Sequence, residues 1–106
     1  MDSKLEPQAI FIGIDPGKGG AISFLNAGGE LVDCWMTPKH NFPDDKPKFK
    51  GYDIAGMSRI LKMHGKPKAV TVENVHALPR DGKSSAFTFG YGVGLWHGIC
   101  GCLDYP

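Results

Sequence analysis

The stretch from Ile10 to Phe24, Ile-Phe-Ile-Gly-Ile-Asp-Pro-Gly-Lys-Gly-Gly-Ala-Ile-Ser-Phe, narrows the possible folds more than any other part of the 106-residue chain. Two apolar runs rich in β-branched and aromatic residues flank a cluster of Pro and Gly. That pattern is a β-hairpin. Asp15 stands at its tip, where a buried strand reaches the surface.

Pro16 presets φ for the second position of a turn and Gly17 accepts positive φ at the third, so Asp15-Pro16-Gly17-Lys18 is expected to turn tightly. An Asp opening a turn often does no more than hydrogen-bond its own backbone. Here the glycines at 17, 19 and 20 leave the acid uncovered and let a bulky anionic ligand, such as a phosphate with its metal, approach the main chain. A Walker-type phosphate loop would need Gly where Ile12 stands and Ser or Thr where Gly19 stands. The dinucleotide fingerprint fails as well, because the glycines precede a strand-like run from Ala21 to Leu25 and not a helix N-terminus.

The rest of the chain continues this α/β pattern. Asn26 to Gly29 is a turn, and Leu31 to Met36 returns as a third, antiparallel strand, completing a meander. Thr37 to Gly51 reads as an exposed loop, in which Lys39, Lys46, Lys48 and Lys50 outnumber Asp44 and Asp45; it is either a solvated loop or a nucleic-acid contact. From Tyr52, the residues Ile54, Met57, Ile60, Leu61 and Met63 follow helical spacing, with Gly65 and Pro67 as the stop. Lys68 to Glu73 is a buried strand that a helical crossover makes parallel to the first.

After a polar loop holding Arg80 and Lys83, Ser84 or Ser85 can cap an apolar helix from Ala86 to Leu103. Gly90, Gly94 and Gly98 form one smooth face of it, open to close approach by a backbone or a nucleic acid. Such spacing also occurs in membrane helices, but His97 interrupts the run, and the preceding pattern is that of a soluble domain with no membrane association.

With 12 basic and 11 acidic side chains the net charge is +1, so any nucleic-acid contact depends on local clustering. Cys34, Cys100 and Cys102 form no even disulfide framework, and the polar amino terminus has no signal-peptide core, which points to the cytoplasm. His97, Cys100 and Cys102 offer three ligands at a tight, atypical spacing for zinc, and the cysteines read instead as small buried thiols.

Parallel first and fourth strands bring Asp15 and Glu73 to the same end of the sheet. Two carboxylates there repel unless solvent or a hard divalent cation, magnesium or manganese, separates their charges. Such ions activate water and stabilise a leaving oxygen in phosphodiester hydrolysis.

Gly13-Ile14-Asp15-Pro16-Gly17 with Gly20-Ala21, and later Val72-Glu73-Asn74-Val75-His76-Ala77, resemble the first two acidic motifs of RuvC-type Holliday junction resolvases. Ser84-Ser85-Ala86, Gly90 and Gly94 to Gly98 are similar to the helix that follows. The resemblance implies an RNase H-like mixed sheet, a three-stranded antiparallel meander plus a parallel fourth strand, with flanking helices. It also implies a homodimer acting on four-way DNA junctions in recombination and repair, with Mg2+ or Mn2+ on about four carboxylates. Asp15 and Glu73 take the places of the first two acids, both catalytic and metal-binding. Lys18, Lys46, Lys48, Lys50, Arg80, Lys83, Ser84 and Ser85 are the expected DNA contacts.

The family takes its remaining acids from a helix after a fifth strand, so the expected unit is a partial nuclease domain over residues 9–106, behind a flexible tail of residues 1–8. Alone it should cut poorly and self-associate through the open edge of the strand from Lys68 to Glu73. Two other classes remain open: a non-catalytic nucleic-acid-binding or assembly module, and an ATP-binding domain of the sugar kinase or chaperone ATPase type, whose first hairpin is similar in outline.

Overall fold

The computed structural model describes residues 9–39, 51–73 and 83–106. Four strands and two helices follow in the order β1 (Phe11–Asp15), β2 (Ala21–Leu25), β3 (Leu31–Met36), α1 (Ile54–Lys62), β4 (Ala69–Val72) and α2 (Lys83–Cys102). The sheet order is β3-β2-β1-β4. Strands β1 to β3 form the antiparallel meander, and β4 runs parallel to β1 in the register Ile14↔Val72. The expected tail at residues 1–8, the loop lysines 46, 48 and 50, and Arg80 lie outside the described residues.

Alternation along the strands divides the sheet into two unlike faces. Ile12, Ile14, Ile22 and Phe24 point to one side and are almost fully buried with Tyr52, Met57, Ile60 and Leu61 around α1, and with Trp96 and Cys100 of α2. Both helices therefore cover this face. Burying each large side chain contributes about 1.5–3 kcal/mol relative to exposure, so this cluster dominates the stability of a small domain. The other face carries the small and polar residues Gly13, Ala21, Ser23 and Thr71, and it is here that Asp15 emerges.

Asp53 caps α1, its carboxylate accepting from the Gly56 amide at 3.1 Å, and Arg59 and Lys62 in the last turn complement the helix dipole. Gly65, at φ 79°, follows the helix as the expected stop. Three details differ from the sequence reading. The hydrogen-bonded turn of the first hairpin is Gly17–Gly20, closed by Gly20 N–H to Gly17 O at 3.2 Å, two residues later than expected. Helix α2 begins at Lys83, which puts Ser84 and Ser85 inside its first turn.

The free edge of β4 is also partly used, since the Val70 N–H donates to Pro106 O at 2.9 Å. A tight turn after α2 brings Pro106 there. Tyr105 N–H returns to Cys100 O at 2.9 Å and Asp104 N–H to Gly101 O at 3.1 Å, with Asp104 left-handed at φ 58°. This is the paired closure of a helix C-terminus that glycine usually makes.

Candidate functional site

Strand β1 ends at Asp15, and the residue after β4 is Glu73, whose N–H donates to Ile14 O at 2.9 Å. Backbone pairing thus sets the two carboxyls side by side at one end of the sheet. Hydrogen bonding with the Asp15 carboxyl, then its negative charge and partial desolvation, raise the Glu73 pKa above its ordinary value. Two adjacent carboxyls disfavour simultaneous ionisation, which is the physical cause of that rise.

Both acids are solvent-exposed, and with Gly13, Ala21, Ser23 and Thr71 they line an open cleft of about 510 Å³. Its floor is low because the central strand carries no side chain at Gly13, where an added Cβ would meet nothing within 4 Å. A Cβ on Gly20 would collide with the Asp15 carbonyl oxygen, so the loop can fold this closely under the acid only with glycine there. Gly17 takes φ +107°, a conformation side chains disfavour, and Phe89 of α2 lies against it.

No family model matches the chain, and no curated protein resembles it in sequence.

Lys18 is exposed on the turn that follows Asp15, at the acidic end of the sheet. Lys83, Ser84 and Ser85 lie in the first turn of α2, with side chains outside the described residues. Asp104 belongs elsewhere: it is 3.6 Å from Lys66, before the start of β4, whereas Glu73 follows the strand's other end. Ser23 and Thr71 were not anticipated as cleft residues. The signal for them is the two-residue period, since Thr71 shares a face with Glu73 and Ser23 pairs with Gly13.

An exposed pair of adjacent carboxyls is a donor set suited to a hard divalent cation, which would take its other ligands from water. Asp15 and Glu73 are the residues that would hold it. Among the described residues, no group of three or more His, Cys, Asp and Glu side chains is arranged to hold a metal ion. All three cysteines are free; Cys100 is buried, which raises its thiol pKa, while Cys34 and Cys102 are exposed. No helix among the described residues is long and apolar enough to cross a membrane.

A second polar cluster, unforeseen in the sequence, joins β3 to the end of α1. Asp33 accepts from His64 Nε2 at 3.0 Å and from Trp35 Nε1 at 2.9 Å on one oxygen, and from the Cys34 amide at 2.9 Å on the other. The hydrogen bond with His64, then that with Trp35, holds the Asp33 carboxyl below its ordinary pKa.

Proposed function

We propose that this chain carries part of the active site of a magnesium- or manganese-dependent endonuclease of the RuvC type, acting on branched DNA. The observation that carries the proposal is the adjacency of Asp15 and Glu73 at the ends of neighbouring parallel strands, where each carboxyl disfavours ionisation of the other. The mixed sheet, a meander flanked by a parallel fourth strand, supports an RNase H-like reading of the fold. So do the motif residues Gly13 to Gly17 and Val72 to Ala77.

In this reading Asp15 and Glu73 would hold a cation at the cleft, which would supply activation of water and stabilisation of the leaving oxygen. The glycines at 17, 19 and 20 let a phosphodiester approach the acids, and Lys18 meets its charge. Lys46, Lys48, Lys50, Arg80, Lys83, Ser84 and Ser85 complete the DNA contact. Among the described residues two carboxylates line the cleft, fewer than a two-cation site uses, so slow nicking is expected.

The test is a cleavage assay on a four-way junction with manganese, run beside a gel shift. Asp15→Asn should abolish nicking yet leave junction binding within about twofold, because affinity comes mainly from phosphate contacts. Undiminished nicking by Asp15→Asn, or equal nicking of linear duplex, would overturn the proposal.

A further inference from the structure

Edge strand β3 and helix α1 enclose a groove of about 740 Å³. Its walls include Trp35, Met36, Pro38 and Met63. For a small domain these residues are unusually exposed: Trp35 by 42%, Met36 by 64% and Met63 by 50%. An apolar patch of this kind marks a binding surface more often than an accident of packing.

Two features say what kind of ligand it fits. The first is charge. Among the described lining residues, Arg59 and Lys62 of α1 stand against a single carboxylate, Asp53, which is already engaged by the Gly56 amide and lies 3.9 Å from Arg59. The excess is positive, so the partner is anionic.

The second is the indole itself. Trp35 is pinned at its Nε1 by Asp33, which His64 and the Cys34 amide hold in turn, so the ring is fixed in place while still two-fifths exposed. A rigid aromatic face beside cations is how proteins stack an unpaired base and follow its phosphates.

Position links the groove to the acids. Asp15 pairs with Ala21 and Ala21 with Met36, so the groove opens at the carboxylate end of the sheet, two strands away, or about 10 Å at ordinary strand spacing. Trp35 points to the opposite face from Asp15, as the register requires. A strand held at the acids reaches it by crossing the Gly17–Gly20 turn, where Lys18 stands, and rounding the edge at Met36 and Thr37; the Thr37 N–H is bonded to Gly20 O at 3.1 Å.

We propose that this groove binds an unpaired nucleotide of a nucleic-acid strand, with the base stacked on Trp35 and the flanking phosphates on Arg59 and Lys62. The inference rests on the nuclease reading for its biological setting, but its test does not need cleavage. Trp35 is one of two tryptophans, and the other, Trp96, is fully buried, so a change of tryptophan emission on binding reports the groove.

The experiment titrates the chain with a fluorescently labelled oligo-dT strand in the presence of EDTA, following anisotropy for binding and tryptophan emission for the groove. Quenching should accompany binding. Trp35→Ala should weaken binding about tenfold and Trp35→Phe much less, as expected for loss of one stacked base. Arg59→Gln with Lys62→Gln should weaken binding and flatten its salt dependence. These residues are exposed or half-exposed, so circular dichroism should show the variants folded.

Saturation by oligo-dT with emission unchanged would overturn the proposal, as would quenching by an acidic peptide and not by the oligonucleotide. Manganese binding at Asp15 and Glu73 would survive either result, so failure of the groove is distinguishable from failure of the nuclease reading.

Discussion

Glu73 is the residue at which fold and chemistry meet, because its backbone closes the β1–β4 pairing while its carboxyl is pressed against Asp15. Its pKa lies above the ordinary value of 4.5 in the folded chain and near that value once unfolded. Below pH 4.5 the proton is bound in both states and the carboxyl pair stabilises the fold. As pH rises through the raised folded value that stabilisation is lost, since the folded chain must then bear two adjacent charges. Glu73→Gln keeps a donor to Asp15 at every pH. Its melting temperature should therefore exceed that of the wild type at neutral pH, with the gap closing as the pH falls towards 4.5. A gap independent of pH would separate Glu73 from Asp15. This juxtaposition was legible in the sequence, because one helical crossover between two β-rich runs fixes which strand ends coincide. The Asp33 cluster was not: it depends on a register shift between Phe24 and Leu25 that sets Asp33 opposite Phe24, beside the His64 ring, and no local pattern announces a bulge.

Among the elements, α2 shows where pattern reading succeeds and where it stops. Its apolar length and approximate limits were evident, but of the two partners that the row of Gly90, Gly94 and Gly98 allows, a backbone or a nucleic acid, no neighbouring backbone of the described residues stands against it. Those positions are exposed, and a Cβ at any of them would meet nothing within 4 Å. The tight contact is at Gly92, off that row, where a Cβ would collide with the Tyr52 hydroxyl that donates to Thr88 O at 3.3 Å. Spacing identifies a face; only packing says what stands against it. Replacing Gly94 and Gly98 by Ala should therefore stabilise the chain, by about 0.5–1 kcal/mol each from helix propensity. Gly92→Ala should instead destabilise it by about 1–3 kcal/mol, the usual cost of overpacking. Thermal or urea unfolding of the three variants checks the order, and a loss at Gly94 or Gly98 would mean that this row is covered after all. Asp104 is a similar case at the helix end, a left-handed position filled by an acid, so the sequence carried no glycine to mark the turn.

At the scale of the whole molecule, the two helices and the apolar alternation of β1 and β2 put the core on one face of the sheet and leave the cleft on the other. This division separates stability from chemistry. Residues that close the core, such as Phe24 and Trp96, are remote in role from the small and acidic residues that form the site. The sheet's acidic end then joins two features, the Asp15–Glu73 cleft and the Trp35 groove, around the Gly17–Gly20 turn. The proposed function depends on the two carboxyls acting as one cation site. Manganese titration followed by electron paramagnetic resonance examines that point. The wild type should remove the signal of free Mn2+, more strongly as pH rises because Glu73 must lose its proton, and Asp15→Asn and Glu73→Gln should each abolish the binding. Undiminished binding by either variant, or none by the wild type at any pH, would contradict a shared site at these two strand ends.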